Sequence, residues 1–139
     1  MKPAPRRILV AEDNAILLSV LQLNLEDAGY AVTVARNGRE ALEYLSRDTF
    51  DLLITDYQMP DVSGGDLLRA VRETLHNREL PIILCSGKGL ELDFAHLRER
   101  WQLARVFFKP FSVREVLACM RQLLNPTVAP AAAPALASG

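Results

Sequence analysis

The sequence contains few of the residues and patterns that mark several large protein classes. Only two of its 139 residues are cysteine and two are histidine. Cys85 and Cys119 lie in apolar surroundings without CxxC spacing, so we expect buried, reduced thiols rather than a disulfide or metal site. No run reaches the ~18 apolar residues of a membrane span, and the first residues contain no signal-peptide core. These absences predict a soluble, cytoplasmic protein without membrane contact.

Excess charge of one sign is also missing. The 16 Lys and Arg residues are balanced by 17 Asp and Glu residues, which leaves a formal net charge of -1. Because the arginines are scattered and form no basic face, we expect no direct nucleic-acid binding from this segment. Half of the residues are hydrophobic, which is enough for one core in a chain that is about one domain long.

The chain does contain short apolar runs that end on polar residues. Continuous runs of this length are typical of strands buried on both faces of a parallel sheet. Helix-period segments alternate with them, and Asn14, Asn37 and Ser112 stand where helices would begin. The runs and the residues that follow them are 8–11 before Glu12 and Asp13, 52–55 before Asp56, 82–85 before Ser86, and 106–108 before Lys109.

This alternation, together with a second strand over 31–35, predicts five βα units. Right-handed crossovers then give an α/β, flavodoxin-like, doubly wound five-stranded parallel sheet of order 2-1-3-4-5, with five helices on both faces. We expect an N-terminal extension over 1–5, a folded domain over 6–124 and a Pro/Ala-rich tail or linker over 125–139. In the first helix, which Gly29 is expected to end, the apolar positions at helical spacing are Ile16, Leu17, Val20, Leu21, Leu23 and Leu25.

The predicted sheet order gathers polar residues at one edge. Ligands of open α/β sheets bind at the carboxyl ends of the strands, and strands one and three are neighbours in this order. Glu12, Asp13 and Asp56 are therefore expected to meet, with Ser86 and Lys109 arriving from the other side. Three carboxylates without His or Cys suit Mg²⁺, with Mn²⁺ as the alternative. An acid that faces a metal, a lysine and a hydroxyl can act as a nucleophile toward phosphorus.

In this order, these residues resemble the receiver domain of two-component response regulators, in particular chemotaxis-type regulators. The resemblance covers residues 6–124 and would make that segment the receiver domain. It rests on several segments in register rather than on any single motif. The segments are 8–14 (ILVAEDN), 51–60 (DLLITDYQMP), Gly64, Ser86-Gly87 and Lys109-Pro110-Phe111.

The resemblance implies a phosphoryl-accepting signalling switch that is not an enzyme toward other substrates. Asp56 would accept the phosphoryl group from a histidine kinase or phosphotransfer protein. Asp13, Asp56 and the backbone carbonyl of Gln58 would hold Mg²⁺, and Glu12 would act through a metal-bound water. The altered conformation would then change the binding of an unidentified output partner or of a domain after residue 139, and a homodimer is a further option.

The same resemblance assigns the remaining residues of the site. Lys109 would bind one phosphoryl oxygen, and Ser86 would move to bind another after Asp56 is modified. The family also has a cis peptide bond before the proline that corresponds to Pro110, a conformation that X-Pro bonds adopt at modest cost.

One position departs from the family pattern. The family has Tyr or Phe three residues before the lysine, whereas this chain has Val106. By strand alternation Phe107 belongs to the opposite sheet face, and Phe108 has the right parity but lies two residues further on. We therefore expect the response to run through the 87–89 loop and the helix after it, biased by the charge that phosphorylation adds.

Two alternatives remain open from the sequence. The first is an interaction-only pseudo-receiver that is never phosphorylated. The second is a Mg²⁺-dependent aspartyl-phosphate phosphatase or phosphotransferase acting on a separate substrate. Such enzymes commonly place a second acid two residues after the nucleophile, where this chain has Gln58, and no substrate-cap insertion is evident.

Overall fold

The computed structural model describes residues 4–87 and 94–124, and these form a five-stranded parallel sheet between two layers of helices. The strand order β2-β1-β3-β4-β5 is the predicted one, so the predicted fold class is confirmed. The predicted tail over 125–139 lies outside the described residues. The strands are β1 Arg7–Ala11, β2 Ala31–Ala35, β3 Leu52–Asp56, β4 Ile82–Ser86 and β5 Arg105–Phe108.

Helices follow each of the five strands, and the first three helices begin at side-chain caps. The side chains of Asn14, Asn37 and Ser63 accept hydrogen bonds from backbone N–H groups in the first turns of their helices, which satisfies donors that a helix leaves unpaired. None of the helices within the described residues is both long and apolar enough to cross a bilayer. The helices are α1 Ala15–Asp27, α2 Gly38–Arg47, α3 Gly64–Arg69 with a π-helical turn over Ala70–Thr74, α4 Phe94–Trp101 and α5 Val113–Leu124.

The hydrophobic core lies in two layers, one on each face of the sheet. Strand alternation sends Ile8 and Val10 into one cluster with α1 and α5. Leu9 and Ala11 enter the other cluster, with α2, α3 and α4. Because β1, β3 and β4 are covered on both faces, each contains a continuous apolar run over most of its length, and this pattern identified them as strands in the sequence.

Helix α1 buries only part of its apolar surface. The side chains of Leu18, Leu21 and Leu25 are buried against the sheet. In contrast, Ile16, Val20 and Leu23 are on the solvent side, where 78%, 40% and 70% of their surface is exposed. The apolar spacing therefore predicted the helix correctly but mixed two faces, because a helix that is apolar nearly all round has no single amphipathic direction. We refer to these three exposed residues as the apolar stripe.

A buried arginine ties the end of α3 to the end of α4. Arg72, in the π-helical turn, is 5% exposed. Its guanidinium donates to the backbone carbonyls of Trp101 and Leu80 at 2.9 Å, and to those of Asn77 and Gln102 at 2.9 and 3.1 Å. Four carbonyls thus replace the water that the buried charge has lost, and they include carbonyls at the C-terminal end of α4.

We expect Arg72→Met to destabilise the fold by about 2–4 kcal/mol, because the carbonyls that now accept from the guanidinium would stay buried without a hydrogen-bond donor. The free energy of unfolding from urea titration measures this. Arg69→Met, at an exposed position one turn earlier, is the matched control and should change stability by less than about 0.5 kcal/mol. Equal effects of the two substitutions would show that the four hydrogen bonds contribute nothing specific.

Candidate functional site

Adjacent strand ends bring three carboxylates together. Strand β1 ends at Ala11, which pairs with Thr55 of β3, so Glu12 and Asp13 follow β1 beside the final residue of β3, Asp56. Carboxylate oxygens of these three acids lie within 4.8 Å of one another. Glu12 and Asp56 are buried, at 2% and 5% exposed, whereas Asp13 is exposed. The predicted meeting of the three acids is therefore found.

The positive charge among these acids comes from β5. The Lys109 amide donates to the carbonyl of Ser86 at 2.8 Å, which fixes the lysine at the end of the sheet. Its Nζ lies 3.0 Å from Glu12 Oε1 and 3.4 Å from Asp56 Oδ2. The lysine thus joins both buried acids and is closer to Glu12.

Burial and charge both perturb the ionisation of this cluster. Burial raises the pKa of Glu12, and the Asp56 charge adds to this, although hydrogen bonds from the Asn14 amide and from Lys109 oppose it. Burial likewise raises the pKa of Asp56 against the opposing effect of Lys109. For Lys109, burial disfavours the charge, but Glu12 and Asp56 outweigh it and raise the pKa of the lysine. Burial therefore disfavours the charged form of both acids, and the Lys109 ammonium opposes this without cancelling it.

The acids open into a pocket of about 530 Å³ at the carboxyl edge of the sheet. Gln58 lies on its wall, and its backbone N–H donates to the Asp56 carboxylate. Ser86, at the end of β4, is fully buried. The residues that line this pocket are Glu12, Asp13, Asn14, Asp56, Gln58, Gly87 and Lys109.

Sequence reasoning assigned Asn14 only a capping role, yet it does more. Its side chain caps α1 by accepting from Ile16 and Leu17 at 3.0 and 3.1 Å. Its backbone N–H also donates a hydrogen bond to Glu12 Oε2 at 3.1 Å, and this bond helps to position the Glu12 carboxylate. The sequence feature that could have indicated this second role is the position of Asn14 directly after Glu12 and Asp13.

Gly64 lets the following loop approach the end of β3. A Cβ at this position would overlap the backbone of Asp56 and Tyr57, and the Gly64 amide donates to the carbonyl of Tyr57 at 2.8 Å. Any side chain here would push the loop away from the acid. This close approach gives a physical reason for the glycine that the sequence motif contains.

The aromatic residues of β5 lie as the strand alternation predicts. Phe107 is buried in the α1 and α5 layer, whereas Val106 packs against the other layer. Phe108 is 50% exposed and meets the Phe94 ring of α4 edge-to-face, with centroids 5.0 Å apart. The peptide bond between Lys109 and Pro110 is cis, as the resemblance implied.

The donor set fits a hard divalent cation. Three carboxylates within reach of one point offer oxygen ligands without His or Cys, and this is the chemistry that Mg²⁺ prefers. The pocket also leaves room for water or for the oxygens of a phosphoryl group. Asp56 is a buried carboxylate with the Lys109 ammonium beside it, and a carboxylate in such surroundings has the chemistry of an oxygen nucleophile.

Known proteins match this chain over most of its own length. The family described as "Response regulator receiver domain" matches residues 8–121. The transcriptional regulatory protein CpxR of Escherichia coli is 37% identical over 119 residues, which cover 86% of this chain and 49% of CpxR. The chain therefore spans about half the length of this curated relative.

Solved structures agree with the sequence comparison. The chemotaxis response regulator CheY4 of Vibrio cholerae superposes with a TM-score of 0.77 at 25% identity, covering 86% of this chain and 98% of CheY4. The receiver domain of the Francisella response regulator 1452 gives a TM-score of 0.77 at 27% identity, over 88% and 98% of the two chains. Family match, fold and the carboxylate cluster agree: this chain belongs to the response regulator receiver domains of two-component systems.

Proposed function

We propose that Asp56 accepts a phosphoryl group and that this modification switches the interactions of the domain. The observation that carries the proposal is the place of Asp56: a buried carboxylate at the end of the central strand, 3.4 Å from Lys109 Nζ and clustered with two further acids. In the reaction, an Asp56 oxygen attacks phosphorus as the bond from phosphorus to a phosphohistidine nitrogen breaks. The electron pair of that bond stays on the imidazole, which then takes up a proton.

The acidic cluster would hold Mg²⁺ through Asp13, Asp56 and the carbonyl of Gln58, with Glu12 acting through water. Bound there, the ion would neutralise acids that otherwise repel an incoming phosphoryl group. Lys109 would move its hydrogen bonds from the acids to a phosphoryl oxygen, and Ser86 would donate to another. The charge of about -1.5 to -2 that phosphorylation adds is large enough to bias the neighbouring loop.

The phosphodonor is proposed to be a histidine kinase or phosphotransfer protein that docks on the apolar stripe of α1. The stripe consists of Ile16, Val20 and Leu23, spaced by four and three residues along one helix face. It begins at the site itself, because the Ile16 amide bonds to Asn14, which lines the acidic pocket. A donor protein whose histidine reaches Asp56 would also contact this neighbouring surface of α1.

The output is proposed to run through a further protein domain in the cytoplasm, either after residue 139 or in a separate partner. The curated relative CpxR is named a transcriptional regulatory protein, and the chain spans about half of its length. We therefore propose that the segment 6–124 supplies the phosphorylation switch, that 125–139 acts as a linker or tail, and that the regulated activity belongs to the output partner.

Incubation with acetyl phosphate and Mg²⁺ should add the mass of one phosphoryl group to the intact protein. Asp56→Ala should abolish the adduct because it removes the attacking oxygen, and EDTA should suppress it. Asp27→Ala, an exposed aspartate at the end of α1, is the control and should leave the adduct unchanged. A folded protein without an adduct from any small donor would favour the pseudo-receiver, and turnover of an external phosphate ester would favour the phosphatase.

Metal affinity should fall as the pH is lowered. The pKa values of Glu12 and Asp56 lie above their ordinary 4.5 and 3.8, so each acid takes up a proton, and loses its attraction for Mg²⁺, earlier during acidification than a free carboxyl would. Calorimetric titration with Mg²⁺ between about pH 7 and about pH 5 measures this loss. Glu12→Gln should bind Mg²⁺ more weakly and with a shallower pH dependence. An affinity that stays constant over this interval would contradict the proposed ligands.

Disrupting the apolar stripe should slow phosphorylation by a protein donor but not phosphorylation by a small-molecule donor. With a histidine kinase that phosphorylates the wild-type chain, Leu23→Glu should slow phosphotransfer by at least about tenfold, which corresponds to about 1.4 kcal/mol of docking energy. The rate with acetyl phosphate should not change. Gln122→Glu, which adds the same charge at an exposed position of α5, is the control. Loss of both rates, or of neither, would rule out docking on the stripe.

A further inference from the structure

The opposite edge of the sheet holds a second cleft whose charge is reversed. It occupies about 700 Å³ and lies where β1, β2 and β3 begin and α5 ends. The polar side chains described on its walls are three arginines, one tyrosine and one aspartate. The space beside Gly29 is open, since a Cβ at this position would meet no atom within 4 Å. The side chains that the argument uses are Arg6, Arg7, Tyr30, Asp51 and Arg121.

The single carboxylate of this cleft is already engaged. Asp51 Oδ2 accepts a hydrogen bond from the Arg7 amide at 2.7 Å, and Oδ1 lies 3.9 Å from Arg6 Nη1. Arg6 also donates through Nη2 to the carbonyl of Leu124 at 3.0 Å. Asp51 therefore offsets the charge of one of the three arginines.

The two remaining guanidiniums keep their donors available. The guanidinium carbon of Arg7 lies over the Phe50 ring, 5.1 Å from its centroid, and a contact with a ring face uses none of the N–H donors in a hydrogen bond to an acceptor oxygen. Among the described residues, no carboxylate comes within ion-pair distance of Arg7 or Arg121. Tyr30 adds a hydroxyl close enough for Arg121 and Arg6 to act on its ionisation, while burial raises the pKa of this phenol.

We propose that this cleft binds a small molecule that carries a polyphosphate group, with Arg7 and Arg121 holding the phosphates and Tyr30 donating its hydroxyl. Guanidiniums recognise phosphate oxygens through paired hydrogen bonds, and arginine is the residue best suited to this geometry. The cleft volume falls in the range of small-molecule sites. A concave site of this size favours a compact anion over an extended acidic peptide.

The site is independent of the phosphoacceptor. Its residues lie at the starts of strands and at the end of α5, whereas Asp56 ends β3 and the other acids follow β1, so the two clefts lie at opposite edges of the sheet. Binding there needs no metal and no modification of Asp56. Ligand binding at this edge can thus be tested with the acidic site disabled.

The test titrates the full chain with inorganic pyrophosphate and, separately, with ADP, in EDTA so that no metal bridges the ligand to the acids. Calorimetry should give a Kd below about 1 mM, and amide NMR resonances of Gly29, Tyr30 and Asp51 should shift while that of Asp13 does not. Asp56→Ala should bind as the wild type does. Tighter binding of ADP would identify the ligand as a nucleotide, and equal binding would identify it as the polyphosphate group alone.

Two arginines of α5 provide a matched pair of variants. Arg121→Gln removes a charge inside the cleft and should weaken binding by at least about tenfold, since it removes charge-assisted hydrogen bonds. Arg114→Gln removes the same charge from an exposed position at the other end of the helix and should change the Kd by less than about twofold. Both positions are exposed, so both variants should fold. No binding of either ligand, or equal losses in the two variants, would overturn the proposal.

Discussion

The ion cluster that joins Lys109 to Glu12 and Asp56 is the constraint on which the site depends. Two buried carboxylates beside an exposed third would repel one another, and burial alone already raises the pKa of both. Lys109 reduces that repulsion without removing it, because one ammonium faces three acids. The site is thus kept short of positive charge, and this is the condition under which a divalent cation gains most by binding.

The two edges of the parallel sheet carry charges of opposite sign. Strand ends at the carboxyl edge present the acids, whereas strand starts at the other edge present Arg7 and, from the end of α5, Arg121. The chain therefore carries an acidic and a basic surface whose charges nearly cancel in its net charge of -1. Helices α1 and α5 run from one edge to the other, since each begins near the acidic pocket and ends near the basic cleft.

Helix α4 is held differently at its two ends. Its C-terminal carbonyls receive the buried guanidinium of Arg72, while its first described residue, Phe94, meets the half-exposed ring of Phe108. Phe108 directly precedes Lys109, so a change at the acidic site has a short route to α4. Val106 offers no ring at its own position, and among the described residues the Phe94–Phe108 pair is an aromatic contact between β5 and α4.

The sequence by itself determined the strands, their order and the meeting of the acids, because strands covered on both faces must be apolar over most of their length and parallel strands must end at one edge. It also placed Phe107 and Val106 on opposite faces. Only the tertiary structure decided which apolar residues of α1 stay exposed, that Arg72 is buried, and that Arg7 and Arg121 share a cleft. Those outcomes depend on contacts between residues far apart in the chain, and no local period or spacing records such contacts.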